Sequence, residues 1–169
     1  MHDSDIPDDA ALGELAMSLG NKLRARHLML ATAESCTGGW IAKTVTDLSG
    51  SSDWFDSGIV AYSYEAKQAL LGVRQQTLET HGAVSRETVI EMVSGALVHS
   101  GAGVAVSVTG IAGPGGGTAD KPVGTVWVGW KRRGGYPTAA VFHFSGDRDA
   151  VRRQTVAAAI RGLQELLAG

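Results

Sequence analysis

Short apolar runs alternate with segments of helical periodicity along the chain, and this alternation restricts the fold more than any other feature of the sequence. Runs of strand character lie at residues 28–33, 54–62, 104–108, 123–130 and 138–144. The last two flank Gly134-Gly135, a turn signal that predicts an antiparallel hairpin. The sequence therefore predicts an α/β fold whose sheet is mixed rather than purely parallel.

Polar residues that can cap helices stand at the start of most of the helical segments. Asp8, Ser63, Ser85 and Asp147 each precede apolar residues at helical spacing, and their side-chain oxygens can accept from the first backbone N–H groups. Helices are predicted after Asp8 as far as Arg26, and over 40–48, 63–71, 85–101 and 147–167. Strand, turn and helix thus follow one another repeatedly.

Length and composition favour one globular domain over residues 1–169. The chain has 169 residues, 44% of them hydrophobic and 19% charged, with no apolar run long enough to cross a membrane. The formal net charge of -2 gives no electrostatic reason to expect nucleic-acid binding. The acidic, polar residues 1–9 do not resemble a secretory signal, so we expect a cytoplasmic protein with neither nucleic acid nor membrane as partner.

Neither cysteine nor histidine chemistry is indicated. Cys36 is the only cysteine, which excludes an intrachain disulfide and a cysteine-based zinc site. No metal-ligand spacing is found among the five histidines, which we interpret as structural or surface residues: His2, His27, His81, His99 and His143. We expect no metal and no cofactor.

Two glycine-rich turns are candidates for binding anions. One covers residues 34–39 and leads into a helix, and the other covers 109–117 and follows a strand. Small residues let backbone N–H groups approach phosphate oxygens or an oxyanion, although such turns are as often only tight connections. Neither turn has the ending of a triphosphatase P-loop or the spacing of a dinucleotide fingerprint.

A serine and a lysine form the candidate catalytic group. Ser35 is expected at the carboxyl end of a strand, where open α/β folds place ligands, although a lone serine there is more often a cap. Lys67 is expected about one turn into a partly apolar helix, where the helix N-terminus and partial burial would lower its pKa and allow it to activate a hydroxyl. Ser51 and Ser52 are alternative hydroxyls, and spacing alone does not rank Ser52 below Ser35 as nucleophile.

Several segments, in order, resemble the CinA C-terminal domain family. The resemblance covers roughly residues 28 to 155 and is carried by Ala33-Glu34-Ser35-Cys36-Thr37-Gly38-Gly39, Gly50-Ser51-Ser52, Ala61-Tyr62-Ser63 with Lys67, His81-Gly82-Ala83-Val84-Ser85, Thr109-Gly110-Ile111-Ala112-Gly113-Pro114, Lys121-Pro122-Val123-Gly124-Thr125-Val126 and Gly146-Asp147-Arg148. One departure is Tyr64, where the family usually has asparagine, so a contact made by that asparagine is not expected here.

The resemblance implies a three-layer α/β/α fold and a stand-alone amidohydrolase. It further implies hydrolysis of the carboxamide of nicotinamide mononucleotide to nicotinate mononucleotide and ammonia, by a serine–lysine mechanism assisted by Tyr62. Neutral Lys67 would activate Ser35 or Ser52. The substrate would be held by backbone groups of Thr37, Gly38, Gly39, Gly110 and Gly113, by the Thr109 hydroxyl, and by Arg148 on the phosphate.

Two other functions fit the same sequence. The first is a nucleotide-binding regulatory module that keeps the phosphate-binding turns but does no chemistry. The second is an interaction module related to DNA uptake or damage, against which the absence of a basic patch argues. A small-molecule nucleotide is the expected partner, and we expect the chain to form a homo-oligomer.

Overall fold

The computed structural model describes residues 6–169 and contains a five-stranded mixed sheet. Its strands are β1 (Leu30–Glu34), β2 (Phe55–Val60), β3 (Val104–Gly110), β4 (Thr125–Arg132) and β5 (Thr138–His143). They lie in the order β2-β1-β3-β4-β5. β2, β1 and β3 are parallel, whereas β4 is antiparallel to β3 and β5 to β4. The predicted α/β class, the mixed sheet and the hairpin at Gly134-Gly135 are confirmed.

Four of the six helices begin where capping residues predict. They are α1 (Asp9–Ala25), α2 (Trp40–Thr46), α3 (Tyr64–Leu71), α4 (Gln75–His81), α5 (Arg86–Val98) and α6 (Arg148–Ala168), with a short 3-10 helix at Ser51–Asp53. Asp8, Ser63, Ser85 and Asp147 each accept a hydrogen bond from a backbone N–H of the first turn. These bonds satisfy donors that a helix start leaves unpaired.

Two apolar clusters lie on opposite faces of the sheet and confirm the three-layer arrangement. Successive side chains of a strand point to opposite faces, so Leu30 joins one cluster and Ala31 and Ala33 join the other. The first cluster packs beneath α1, α2 and α6, and the second beneath α3, α4 and α5. α3 and α6 therefore cover different faces of the same sheet.

One helix was not predicted, and β1 has bounds different from those predicted. α4 was not predicted, because its seven residues bury only Thr77 and Leu78 and its N-cap residue, Arg74, makes no side-chain capping bond. β1 begins at Leu30 rather than at residue 28 and extends to Glu34, so the carboxylate belongs to the strand and not to the turn. Among the described residues, no helix is both long and apolar enough to span a membrane.

Candidate active site

Ser35 and Lys67 meet at the carboxyl ends of the parallel strands. Ser35 directly follows β1, and Lys67 lies one turn into α3, which follows β2. Because β1 and β2 are parallel neighbours, their carboxyl ends share one edge of the sheet. The Lys67 Nζ lies 3.0 Å from the Ser35 Oγ. Ser35 is 8% exposed and Lys67 only 1% exposed, so the pair is shielded from water.

The surroundings of Lys67 make its amine easier to deprotonate and hold it against the serine. Burial lowers the pKa of Lys67 from its ordinary value. Apart from Ser35, the Nζ contacts the carbonyl oxygens of Ala61 and Tyr62, each at 3.2 Å. Carbonyl oxygens only accept, so they take the two N–H groups of a neutral amine. When the amine is neutral, its lone pair can face the Ser35 hydroxyl and accept from it, as a general base requires, whereas an ammonium donates to the Ser35 Oγ.

Tyr62 is linked to the site at both its backbone and its side chain. Its carbonyl accepts from Lys67, while its ring is 61% exposed beside the pair. The Tyr62 hydroxyl accepts from Arg148 Nη2 at 3.1 Å, which leaves the phenolic proton free to be donated to a ligand. Arg148 Nη1 also donates to the Gly113 carbonyl at 2.7 Å. Arg148 thus joins the segment after β2 to the glycine-rich segment after β3.

Glu34 holds the turn that carries Ser35, a role that the sequence analysis missed. Its carboxylate is fully buried and accepts from the Thr37 hydroxyl at 2.6 Å, and from the Ile41 and Ala42 N–H groups at 2.8 and 3.0 Å. The Thr32 hydroxyl lies at 3.4 Å. A carboxylate just before a glycine turn and a helix was the available signal, since such a group can bond the free N–H groups of the helix start.

The predicted substrate-binding residues of the first turn lie beside Ser35. Gly38 and Gly39 have φ values of +59° and +98°, a left-handed backbone that glycine adopts without strain. The Gly38 N–H donates to the Ser35 carbonyl at 3.0 Å and so closes the turn. Thr37 is fully buried, and its hydroxyl donates a hydrogen bond to the Glu34 carboxylate, so this hydroxyl does not face a ligand.

The second turn lies next to the first. Gly110 ends β3, whose Val108 pairs with Glu34 of β1, so the turn after β3 adjoins Ser35. The Thr109 hydroxyl donates to the Ala83 carbonyl at 2.8 Å. Its proton is therefore already used, so this hydroxyl can accept a hydrogen bond from a ligand in this arrangement.

Ser52 is not brought to Lys67. It is exposed in the 3-10 helix that precedes β2, at the amino end of the parallel strands. The Ala61 carbonyl that contacts Lys67 follows the other end of β2. Ala61 comes six positions after Phe55 along extended strand, which places the two residues about 20 Å apart. Within this chain, only Ser35 of the two candidate serines adjoins the lysine.

Side chains that bind metals are not gathered anywhere in the described residues. No group of three or more His, Cys, Asp or Glu side chains is close enough to hold an ion within residues 6–169. His27, His81, His99 and His143 are exposed, and His2 lies outside the described residues. Burial raises the pKa of the Cys36 thiol to about 12, so this cysteine stays protonated and is a poor nucleophile.

A mixed α/β sheet carries a buried serine–lysine pair at the carboxyl ends of its parallel strands, an arrangement typical of enzymes that hydrolyse through a serine nucleophile. Comparison with known families agrees with this class. Residues 12–167 match the model of the CinA C-terminal domain, and the chain belongs to that family.

Relatives with assigned names span nearly the same length as this chain. Nicotinamide-nucleotide amidohydrolase PncC of Escherichia coli K12 is 52% identical over 155 residues, which are 92% of this chain and 94% of that protein. The protein of the same name from Enterobacter agglomerans is 54% identical over 156 residues, 92% of this chain and 93% of that one.

A solved structure shares the fold throughout. The competence/damage inducible protein CihA from Agrobacterium tumefaciens is 45% identical, with a TM-score of 0.91 over 95% of this chain and 97% of that one.

Proposed function

We propose that this chain is a nicotinamide-nucleotide amidohydrolase that converts nicotinamide mononucleotide to nicotinate mononucleotide and ammonia. The observation that carries the proposal is the 3.0 Å contact between the buried Lys67 amine and the Ser35 hydroxyl. Relatives that match at 52–54% identity over nearly their whole length bear the name of this activity. The fold and the sequence identity to these relatives thus indicate the substrate class, and the Ser35–Lys67 pair provides a chemical mechanism.

The first half of the reaction forms an ester on Ser35. Neutral Lys67 takes the hydroxyl proton as the Ser35 Oγ forms a bond to the carboxamide carbon. The carbonyl oxygen of the substrate becomes an oxyanion in the tetrahedral intermediate. When the C–N bond breaks, the amine leaves with the proton that Lys67 holds, and ammonia departs.

The second half returns the enzyme to its starting state. A water molecule gives a proton to Lys67 while its oxygen attacks the ester carbon. The Ser35 Oγ then leaves and recovers this proton from the lysine. The product acid gives its proton to solvent, where ammonia takes it up, so each cycle consumes one water and yields nicotinate mononucleotide as the carboxylate and one ammonium ion.

Tyr62 and Arg148 are positioned to bind the substrate beside the pair. The phenolic proton of Tyr62 is free because its oxygen already accepts from Arg148, so Tyr62 can donate to the leaving amine or to the ribose. Arg148 uses two N–H donors on Gly113 and Tyr62, and a guanidinium has five. The remaining donors are available to the substrate phosphate.

The test is release of ammonia from nicotinamide mononucleotide by the purified chain, with the nucleotide product identified by mass spectrometry. We expect ammonia and nicotinate mononucleotide in equal amounts, and loss of both when Lys67→Met is purified in the same way. A wild-type protein that binds the mononucleotide but leaves it intact would overturn the proposal in favour of a nucleotide-binding module without chemistry.

A further inference from the structure

The outer edge of β5 has no neighbouring strand, and we propose that it pairs with β5 of a second copy of this chain. β5 ends the strand order β2-β1-β3-β4-β5 and pairs only with β4. A two-fold axis perpendicular to the sheet joins the two β5 strands antiparallel, so that both sheets become one. The serine–lysine pair lies at β1 and β2, and the inference therefore does not depend on the proposed function.

Alternate residues of β5 direct their backbone groups to this outer edge. The Phe144 N–H donates to the Gly124 carbonyl at 2.9 Å, on the side of β4. Bonded and non-bonded pairs alternate along an antiparallel ladder, so every second residue before Phe144 also bonds to β4. The residues between them direct their N–H and C=O groups outwards, and these are Ala139, Val141 and His143. Within residues 6–169, these outward groups have no hydrogen-bond partner.

The opposite edge of the sheet is protected against such pairing, whereas β5 is not. Between β1 and β2 the register shifts, and the additional residue in β2 is Asp56, which places a charge at a bulge. Bulges and charges are the features by which natural sheets keep an edge from pairing with another chain. β5 pairs with β4 without a register shift, and none of its six residues is Asp, Glu, Lys, Arg or Pro. β5 is therefore the edge that is suited to accept a strand.

One register matches all of the outward groups of two antiparallel β5 strands. In this register Val141 lies opposite Val141 of the second copy, and Ala139 lies opposite His143. Each opposed pair exchanges two hydrogen bonds, so every outward N–H and C=O group is satisfied. A shift by two residues leaves one outward residue of each copy without a partner in β5. No like charges face each other, and the strand is thus complementary to itself.

The face of β5 beside α6 continues the interface. The rings of Phe142 and Phe144 stack with centroids 5.2 Å apart, and together with Trp130 and α6 they line a cavity of about 460 Å³. In the register centred on Val141, Ala140 lies opposite Phe142 of the second copy, a small side chain against a large one. The two Phe142 rings are then diagonal neighbours, a distance that aromatic side chains span. The second copy therefore covers apolar surface that one copy leaves open.

The size of the interface determines how strong the pairing should be. β5 has six residues, and Val141 at its centre is 40% exposed on the face away from α6. A single strand pair with one flanking apolar strip belongs to the smaller protein interfaces. We therefore expect a reversible dimer with a Kd of about 1–100 μM.

Sedimentation velocity on the purified chain tests the pairing, over about 1–500 μM protein. The wild type should change from monomer to dimer within this range. Val141→Lys places two ammonium groups opposite each other at the two-fold axis and should raise Kd at least about tenfold. Val60→Lys is the matched control, because Val60 is an exposed valine of the other edge strand, and it should dimerise like the wild type. A wild type that stays monomeric, or a dimer that both variants affect equally, overturns the proposal.

Disulfide cross-linking tests the register without relying on a variant that weakens the dimer. Opposed residues of a bonded pair have Cα atoms about 5.5 Å apart, which suits a disulfide. With oxidised glutathione, Val141→Cys should form covalent dimers, whereas Ala139→Cys should do so only when it is mixed with His143→Cys. Cys36 is buried and should not react. Ala139→Cys that cross-links alone as fully as Val141→Cys, or Val141→Cys that remains monomeric, overturns the proposed pairing.

Discussion

Replacing Lys67 with methionine should remove the general base while keeping the volume of the side chain. Methionine fills the same buried space but offers neither a lone pair to Ser35 nor donors to the Ala61 and Tyr62 carbonyls. A positioned general base contributes about 10²–10⁴-fold. At about 1.4 kcal/mol per factor of ten, the expected loss in kcat equals about 3–5 kcal/mol of transition-state stabilisation.

The same substitution should change how stability depends on pH. The folded-state pKa of Lys67 is lowered from 10.5, so between that lowered pKa and 10.5 the unfolded chain binds one proton more than the folded chain. Stability then rises with pH in this window, by at most about 1.4 kcal/mol per pH unit from this one group. Below the lowered pKa both states hold the proton, and the contribution of Lys67 no longer varies.

Urea unfolding and the pH dependence of kcat/KM test the lowered pKa of Lys67 and its role as general base. Urea unfolding of wild type and Lys67→Met at several alkaline pH values should show a difference in free energy that shifts in favour of the wild type as pH rises. The wild-type kcat/KM should rise with pH through the lowered pKa. Lys43→Met is the matched control, because Lys43 is exposed and its pKa is raised by Asp47.

A kcat within tenfold of wild type in Lys67→Met would refute the general-base assignment. A stability difference that stays flat from neutral pH to 10.5 would refute the lowered pKa. The first result would leave Ser35 without Lys67 as its activating group, and the second would mean that the amine is charged in the folded state.

Other predictions concern the groups around the pair. The Glu34 carboxylate accepts hydrogen bonds from several donors, and in Glu34→Gln the amide NH2 would face donors instead of accepting from them. The free energy of unfolding, measured with urea, should therefore fall by about 3 kcal/mol. An unchanged unfolding midpoint would contradict the role of Glu34. Arg148→Gln should raise KM for the mononucleotide at least about tenfold but leave KM for the phosphate-free riboside nearly unchanged, and equal effects on both would exclude phosphate binding. Tyr62→Phe should lower kcat by about tenfold, measured as ammonia release, and full activity would show that its proton is not used.

Much of the fold could be predicted because its signals are local. Four capping side chains, the strand runs and the glycine pair of the hairpin each act within a few residues, and the structure has them where they were expected. α4 carried no such signal, since its seven residues are largely polar and lack a capping side chain. Its formation depends on packing against α5, which the sequence does not display.

The residues of the candidate site were harder to predict from the sequence than the helices and strands. A choice between Ser35 and Ser52 needs the edge of the sheet on which each lies, and this follows only when β1 and β2 are known to be parallel neighbours. Once that pairing is known, a serine after β1 and a lysine after β2 must share an edge, whereas Ser52 before β2 cannot. The Arg152 guanidinium donates to the carbonyl of Cys36, the residue after Ser35, across 116 residues, a contact that no local spacing predicts.

Ammonia release from nicotinamide mononucleotide by Ser35→Ala, with Ser52→Ala beside it, tests the central claim most directly. Without the nucleophile, only substrate binding and oxyanion stabilisation still accelerate the reaction. Ammonia release by Ser35→Ala should therefore be slower than by the wild type by at least about 10³-fold. Ser52→Ala, changed at an exposed position at the other end of the strands, should keep most of the activity. The reverse result, with Ser35→Ala active and Ser52→Ala inactive, would contradict the assignment of Ser35 as the nucleophile activated by Lys67.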